Sequence, residues 1–281
     1  KVRDEIRETL RKKVESFSSK PKLVIIQVGE DEESEAYIRQ KKAFGESIGA
    51  VVEHRKLAAG ISEQELVETL REYNADPAVH GIIVQIPIPA HLDKSRIVDG
   101  IAPQKDVDGL GSFSIKALWE NRNEGFVPAT TKGIMSLLSY YKIPVAGKHV
   151  VVVGRSVLVG KPTAQALLNA NATVTIVHSK TENSDVITSS ADILVVAAGK
   201  PHFIQRDDVR EGQVVIDVGI TAVTGEKLDE EVSEKIITGD VHFDDVKDIV
   251  GAISPVPGGV GPMTVASLFQ NLVSAYEKQT S

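Results

Sequence analysis

Residues 149–170, which read HVVVVGRSVLVGKPTAQALLNA, decide the fold class of this protein. A nearly continuous apolar run leads into a turn that begins at Gly154 and ends at Gly160, and a helical pattern follows. A continuous apolar run is typical of a parallel strand that is covered on both faces. A strand, a glycine turn and a helix in this order predict one βα unit of an α/β domain.

The same alternation of short apolar runs and amphipathic stretches extends along most of the chain. The other runs occupy residues 23–28, 51–57, 81–86, 173–177, 193–197 and 214–218. The first amphipathic stretch places on one stripe Val2, Ile6, Leu10, Val14 and Phe17. We therefore predict an α/β fold with two lobes, each containing a mostly parallel sheet and flanking helices.

Two breaks rich in glycine and proline interrupt this alternation. The first lies between residues 100 and 128, and the second, SPVPGGVGP, spans residues 254–262. Such breaks mark loops between regular elements. We place one domain at residues 1–120 and a second, Rossmann-type domain at 121–262. A final helical pattern covers residues 263–281, and periodicity alone leaves open which lobe it packs on.

Composition argues against several classes of protein. The 281 residues include 32 Lys plus Arg and 39 Asp plus Glu, and a net charge of -7 argues against binding nucleic acid through its phosphates. No apolar run approaches the ~20 residues that span a bilayer, and we recognise no signal peptide. The chain has no cysteine, which excludes disulfides and thiol nucleophiles and favours a cytoplasmic protein. Because Lys1 already lies in a helical pattern, we expect residues to precede it.

Two phosphate-binding motifs compete for the glycine turn. A P-loop has four residues between its first glycine and the Gly-Lys pair, followed by Ser or Thr. Here five residues separate Gly154 from Gly160, and Pro162 follows Lys161, so a P-loop is excluded. A reduced dinucleotide fingerprint remains, in which Ser156 takes the place of the second glycine. An ordinary βα turn without a ligand is the alternative.

The end of the next apolar run favours NADP over NAD. An NAD site usually carries an acidic residue about 20 residues beyond the glycine turn, where it binds the ribose hydroxyls. This chain has His178, Ser179 and Lys180 at that place. Arg155 and Ser179 are suited to holding the 2′-phosphate that distinguishes NADP. The sequence therefore predicts an NADP site in the second lobe.

In the first lobe, one lysine interrupts an apolar helical face. Tyr37, Lys41, Phe44 and Ile48 follow helical spacing and share that face. The lysine either extends its ammonium group to solvent from the edge of the core, or it is partly desolvated and has a lowered pKa suited to proton transfer.

Two further polar features lie near the ends of apolar runs. Gln85 interrupts the run 81–86, and a buried amide needs hydrogen-bond partners. Prolines follow it and end the run at the edge where ligands of open α/β sheets collect. Asp106 and Asp108 lie in the first glycine-rich break, where they form either a solvated turn or a pair of metal ligands. Without histidines at ligand spacing, we predict no metal.

Six short motifs are spread over nearly the whole chain. They are Ser34-x-x-Tyr37-x-x-x-Lys41, VQIPIP at 84–89, KDVDG at 105–109, the glycine turn at 154–162, HSKT at 178–181 and PVPGGVGPMT at 255–264. In this order the set resembles the methylenetetrahydrofolate dehydrogenase/cyclohydrolase family. Ser114 departs from that family's usual pattern, which has Asn there, and we expect an altered wall of the substrate site.

The resemblance implies a bifunctional folate enzyme that uses NADP. Such an enzyme oxidises 5,10-methylenetetrahydrofolate to 5,10-methenyltetrahydrofolate and hydrolyses that product to 10-formyltetrahydrofolate. The folate is expected in a cleft, and the last helix, 263–281, is expected to pack back on the first lobe. We expect a cytoplasmic homodimer with tetrahydrofolate derivatives as partners and with neither nucleic acid nor membrane. A dehydrogenase without the hydrolase step and an inactive binding protein are the alternatives.

The resemblance also implies roles for individual residues. Lys41 is the expected general acid and base, Gln85 holds and tunes it, and Tyr37 stacks on or positions the folate. Asp108 binds the pterin ring. The expected substrate-binding residues are Tyr37, Gln85, Asp108, Pro257, Gly258 and Gly259. The expected NADP-binding residues are Gly154, Arg155, Ser156, Ser179 and Ile220.

Overall fold

A computed structural model describes residues 1–224 and 235–280, which form two compact units. The first unit contains Lys1–Lys132 and the chain from Thr264 onward, and the second contains Gly133–Met263. The first unit thus extends beyond residue 120, because Phe126 and Ala129 are buried in its core.

Helices and parallel strands alternate along the described chain. The helices are α1 (Val2–Glu15), α2 (Glu32–Ser47), α3 (Glu63–Ala75), α4 (Lys94–Asp99), α5 (Ser112–Trp119), α6 (Ala129–Tyr140), α7 (Gly160–Asn169), α8 (Ser184–Ser190), α9 (Phe243–Val246) and α10 (Val260–Thr280). The strands are β1 (Lys22–Val28), β2 (Val51–Leu57), β3 (Gly81–Val84), β4 (His149–Val153), β5 (Thr173–Val177), β6 (Ile193–Val196), β7 (Val214–Asp217), β8 (Thr221–Thr224), β9 (Lys235–Thr238) and β10 (Ala252–Ile253).

The first unit is built on a parallel three-stranded sheet with the order β2-β1-β3. Side chains of β1 alternate between two apolar clusters because successive residues of a strand point to opposite faces. Leu23 and Ile25 pack in one cluster with Phe269 of α10, and Val24 and Ile26 pack in the other, which α3 helps to cover. β1 and β3 are therefore buried on both faces, as their continuous apolar runs predict, whereas the edge strand β2 is half-buried or exposed along its length.

Side-chain hydrogen bonds fix both ends of α3, one set local and the other from a residue far along the chain. At its start, Ser62 and Glu65 form a reciprocal capping box. At its end, the buried Lys105 ammonium donates to the backbone carbonyls of Tyr73, Asn74 and Asp76. These carbonyls have no partner within the helix, and a cation also suits the negative end of the helix dipole. Lys105 thus ties the loop after α4 to the end of α3.

The second unit contains a parallel five-stranded sheet with the order β10-β7-β6-β4-β5 and an antiparallel pair, β8–β9. Its apolar core includes Val151, Val153, Leu194 and Val215 from three neighbouring strands. No helix within residues 1–224 or 235–280 combines the length and apolarity needed to cross a bilayer.

The predicted fold class, two α/β lobes with parallel sheets, is confirmed. β2, β4 and β5 have the predicted bounds, whereas β3, β6 and β7 end one or two residues earlier than predicted. The Gln85 N–H still donates to the Ile26 carbonyl of β1, but the ladder goes no further, because Pro87 has no N–H to donate. The alternation of apolar residues gave no indication of β8, β9 and β10.

Candidate functional site

The first unit brings Lys41 and Gln85 together at the carboxyl edge of its sheet. From β1 the chain passes to β2 on one side and later to β3 on the other, and ligands of open α/β sheets bind at such a reversal. Gln85 directly follows β3, and Lys41 lies in α2, the helix that follows β1. The Lys41 Nζ donates a 2.8 Å hydrogen bond to Gln85 Oε1, and Gln85 Nε2 donates to the Ile86 carbonyl.

Asp108 is the third polar member of this group. Burial lowers the pKa of Lys41 below its ordinary value, and the nearby Asp108 carboxylate offsets part of that shift. Burial likewise raises the pKa of Asp108, and the Lys41 ammonium opposes that rise. The two groups therefore form a partly desolvated pair in which proton affinity depends on their separation. An environment of this kind is typical of acid–base catalysis.

The start of α2 is fixed by its own side chains. Asp31 caps the helix by accepting a 2.7 Å hydrogen bond from the Ser34 backbone N–H. Tyr37 is half-buried one turn before Lys41, while Phe44 further along the helix and Ile48 just after its end are buried. Because the apolar residues anchor this face in the core, the Lys41 ammonium is held among protein groups and not extended freely to solvent.

The loop that carries Asp108 is held by a carboxylate that the sequence did not single out for this role. Asp106 is 2% exposed, and its oxygens accept hydrogen bonds from the backbone N–H groups of Gly109, Leu110 and Gly111. It thus forms neither the solvated turn nor the metal-ligand pair considered from its spacing. From α10, Asn271 donates to the Val107 carbonyl in the same loop.

Ser114, where relatives of the resembled family usually have Asn, is 1% exposed. Its hydroxyl accepts a hydrogen bond from the Phe126 backbone N–H and donates one to Asp106. Ser114 is therefore a buried connector within the first unit. The expectation of an altered wall of the substrate site stays a prediction.

In the second unit, the turn after β4 is shaped by two glycines. A Cβ atom on Gly154, whose φ is +115°, would lie 2.1 Å from the Ala197 carbonyl oxygen, and one on Gly160 would lie 2.2 Å from the Gly154 oxygen. Only glycine permits this close approach. Ser156 Oγ accepts hydrogen bonds from the Val159 and Gly160 N–H groups and closes the turn. The turn lies where the sheet order reverses, between β4 and β6.

The sheet places Arg155 and Ser179 at the same edge, after neighbouring strands. Val153 pairs with Val177 in the parallel ladder, and each of the two polar residues lies two positions beyond its paired strand end. Both are exposed. Ile220 follows β7 at the same edge and is 41% exposed. A narrow glycine turn at a helix start, an exposed arginine and the absence of an acid in the HSKT segment fit the pyrophosphate and 2′-phosphate of NADP.

Two buried carboxylates, Asp217 and Asp240, support the loops beside this edge. Asp217 accepts hydrogen bonds from the N–H groups of Gly219, Asp240 and Val241, and Asp240 accepts from Gly199 and Lys200. Burial raises the pKa of Asp217 to about 6. Sequence reasoning missed both residues, although the Asp-Val-Gly and Gly-Asp-Val strings were visible signals.

The Pro257-Gly258-Gly259 segment forms the turn before α10 in the second unit. Pro257 and Gly258 are exposed, and Gly258 has a φ of +107°. Gly259 is buried, and a Cβ atom on it would lie 2.4 Å from the Pro255 carbonyl oxygen. The segment is thus a tightly folded glycine turn, and its substrate contacts stay a prediction.

The chain matches two family models that together cover most of its length. Residues 1–108 match the tetrahydrofolate dehydrogenase/cyclohydrolase catalytic domain, and residues 128–280 match the NAD(P)-binding domain of the same family. The chain is 44% identical over 279 residues to "Bifunctional protein FolD" of Acholeplasma laidlawii, covering 99% of this chain and 97% of that protein.

Solved structures give the same result. The bifunctional FolD methylenetetrahydrofolate dehydrogenase/cyclohydrolase of Campylobacter jejuni superposes with a TM-score of 0.92 at 37% identity, covering 98% of this chain and 96% of that chain. The Trypanosoma brucei enzyme, solved with NADP and an inhibitor, has a TM-score of 0.92 at 34% identity and covers 99% and 95%.

Proposed function

The chain belongs to the tetrahydrofolate dehydrogenase/cyclohydrolase family, and on this basis we propose the roles of its residues in the two reactions. The protein is a bifunctional enzyme. It oxidises 5,10-methylenetetrahydrofolate to 5,10-methenyltetrahydrofolate with NADP and hydrolyses that product to 10-formyltetrahydrofolate. The first unit acts as the folate-binding domain and the second as the NADP-binding domain. The observation that carries the assignment of roles is the Lys41–Gln85 hydrogen bond beside Asp108.

Lys41 moves the protons of the hydrolase reaction. In its neutral form it accepts a proton from the water that adds to the methenyl carbon. The ammonium then donates a proton to N5 of the folate as the bond between N5 and that carbon breaks, and the remaining hydroxyl proton leaves to solvent as the formyl group forms. The lowered pKa of Lys41 supports this role, because it raises the fraction of neutral amine near pH 7.

Gln85 and Asp108 act on Lys41 and on the folate. Gln85 Oε1 accepts from the Lys41 Nζ and fixes its direction. Asp108 binds the pterin ring, whose N–H groups suit a carboxylate acceptor. Tyr37 positions the folate from the preceding turn of α2. Pro257, Gly258 and Gly259 contribute further substrate contacts.

The oxidation requires positioning and no protein base. The nitrogen lone pair of the folate expels hydride from the methylene carbon, and NADP, when bound, accepts it. Gly154 and Ser156 shape the turn that binds the pyrophosphate, while Arg155 and Ser179 bind the 2′-phosphate. Ile220 contacts the cofactor.

We also propose that the enzyme works as a homodimer in the cytoplasm. β5 is the outermost strand of the five-stranded sheet, its Ile176 is 40% exposed, and Val186 of α8 is 63% exposed. An unpaired edge and exposed apolar side chains favour association with a second copy. Sedimentation equilibrium is expected to give twice the mass of one chain, and the mass of a single chain would exclude the dimer.

Two assays on the unmodified protein test the function. With 5,10-methylenetetrahydrofolate and NADP, we expect NADPH to form together with 10-formyltetrahydrofolate. With 5,10-methenyltetrahydrofolate alone, we expect hydrolysis faster than the uncatalysed rate. A dehydrogenase without hydrolase activity would form NADPH but leave the methenyl compound to decay at the uncatalysed rate, and an inactive binding protein would fail both assays.

A further inference from the structure

The loop that carries Asp108, residues 106–111, which we call the Asp108 loop, is anchored by backbone N–H groups that donate hydrogen bonds to one buried carboxylate. Asp106 Oδ1 accepts from Gly109 at 3.1 Å and Leu110 at 3.2 Å, and its Oδ2 accepts from Gly111 at 3.0 Å. These three donors lie immediately after Asp108, so the carboxylate folds the chain back around it. The Asp108 carbonyl in turn accepts from the Ala129 N–H. The backbone on both sides of Asp108 is therefore fixed.

Asp106 also connects this loop to two neighbouring elements. It forms a parallel β-bridge with Ile82 of β3, the strand that Gln85 follows. On α5, the buried Ser114 hydroxyl donates to the Asp106 carboxylate while it accepts from the Phe126 N–H. A chain of contacts thus runs from α5 through Asp106 to the strand that places Gln85 beside Lys41.

The charged side chains in and beside this loop each have an identified neighbour. Asp108 and Asp106 repel one another, and Asp99 at the end of α4 accepts from the Ser112 N–H and hydroxyl. The Lys105 ammonium is directed to the carbonyls at the end of α3. Burial raises the pKa of Asp106 to about 6, and hydrogen bonds from Ser114 and the backbone N–H groups oppose that rise.

We propose that Asp106 and Ser114 are positioning residues that hold the Asp108 carboxylate beside Lys41 during the hydrolase reaction. The proposal rests on the proposed function of Lys41 and Asp108. Asp106 and Ser114 are both at least 98% enclosed, so they act through the loop and not by touching folate.

Ser114→Ala is the more informative variant because it removes the hydroxyl but keeps the Asp106 charge. If Asp108 moves away from Lys41, the ammonium loses a stabilising neighbour and the pKa of Lys41 falls. The rising limb of the hydrolase pH–rate profile, which requires neutral Lys41, then shifts to lower pH by roughly half a unit. We expect the KM for methenyltetrahydrofolate to rise at least about threefold, since the same displacement weakens one hydrogen bond to the pterin ring.

Asp106→Asn tests the same loop more severely. An amide offers one acceptor oxygen, and its NH₂ group would face an N–H donor, so at least one of the three backbone hydrogen bonds is lost. The shift of the pH profile and the rise in KM should have the same directions as in Ser114→Ala and exceed them. The KM for NADP should stay within about twofold of the parent value, because a lost contact in the folate loop leaves the nucleotide turn unchanged.

Ser112→Ala is the matched control, since Ser112 is on the same helix but its hydroxyl donates to Asp99. Its pH profile and KM should equal those of the parent. If Ser114→Ala and Asp106→Asn lower the melting temperature but keep the parent KM and pH profile, the two residues are structural and the proposal is overturned. Lys41→Met separates this outcome from failure of the proposed function: if that variant keeps hydrolase activity, the role of Lys41 itself is wrong.

Discussion

Both units place their candidate site at the carboxyl edge of a parallel sheet, but the two sites are built from different groups. In the first unit the site consists of partly enclosed side chains, and a 2.8 Å hydrogen bond joins Lys41 to Gln85. In the second unit the site consists of a backbone turn with no room for a Cβ atom, flanked by the exposed Arg155 and Ser179.

The difference follows from what each site has to do. Proton transfer requires a side chain whose pKa is moved by burial and by a neighbouring charge. Binding a dinucleotide requires backbone N–H groups and a helix start that approach the phosphates closely. Behind each site lie buried carboxylates, Asp106 in one unit and Asp217 with Asp240 in the other, which hold the supporting loops through backbone N–H groups.

Lys41→Met should produce the largest difference between the two activities. Loss of a positioned acid–base group is expected to lower the hydrolase rate roughly 10²–10⁴-fold. NADPH formation should fall far less, because hydride transfer uses no protein base. Rates of both reactions are measured with saturating substrates. Lys42→Met is the control, since this neighbouring lysine has no such role, and equal loss in the two lysine variants would contradict the assignment.

Arg155→Ala should weaken the binding of NADP by ~2–4 kcal/mol, because a charge-assisted contact with the 2′-phosphate is lost. NAD, which lacks that phosphate, should lose little affinity. Both cofactors are titrated at fixed ionic strength. Lys148→Ala, which removes a cation just before β4 at the opposite edge of the sheet, should leave both affinities unchanged. An equal loss for NADP and NAD would place Arg155 on the shared pyrophosphate.

Ser179→Asp tests the same selectivity for NADP over NAD at a residue that follows the neighbouring strand β5. The added carboxylate should repel the 2′-phosphate and offer hydrogen bonds to the ribose hydroxyls of NAD. We expect the ratio of NADP to NAD affinity to fall by at least about tenfold, or ~1.4 kcal/mol. The ratio is measured by the titrations used for Arg155→Ala. An unchanged ratio would remove Ser179 from the phosphate site.

Gly154→Ala tests whether the second site depends on backbone shape. The added methyl would lie 2.1 Å from the Ala197 oxygen, so the turn must shift. We expect NADP affinity to fall by ~1–3 kcal/mol, the usual cost of overpacking. Gly147→Ala is a matched control because Gly147 also has a positive φ, +73°, but no atom lies within 4 Å of its Cβ position. Hydrolysis of methenyltetrahydrofolate without NADP should stay near the parent rate in both variants.

Substitutions of Gln85 should have the smallest effect on the hydrolase reaction. The direction in which each substitution shifts the pH profile is nevertheless diagnostic. Gln85→Ala removes an acceptor from the Lys41 ammonium at a cost of about 1 kcal/mol, which lowers the pKa of Lys41 and shifts the rising limb of the hydrolase profile to lower pH. Gln85→Glu adds a negative charge and should shift that limb to higher pH. Identical profiles for the parent and both variants would exclude a tuning role.

The bounds of a strand were predictable from the sequence where a local run of residue types marks both of its ends. β4 and β5 coincide with runs in which β-branched residues predominate, so the ends of each run mark the ends of the strand. β2 also has its predicted bounds. β3 was predicted two residues too long because Ile86 continues the apolar pattern after Gln85. The pattern does not show that the Gln85 side chain accepts a hydrogen bond from Lys41. β8 (TAVT) and β9 (KIIT) have four residues each, with polar residues at both ends, and β10 has only two residues, so none of the three leaves a strong local pattern.

The sequence by itself determined the α/β class, the glycine turn, the preference for NADP and the family, since each depends on residue types at fixed spacing. The resemblance also implied that Gln85 holds Lys41, which the structure shows as a hydrogen bond. Only the tertiary structure decided that Lys41 is desolvated and that Asp106, Lys105 and Ser114 are buried supports of the Asp108 loop. The physical reason is that burial and electrostatic fields arise from segments far apart in the chain. A charged residue has the same spacing in a sequence whether it faces water or the interior.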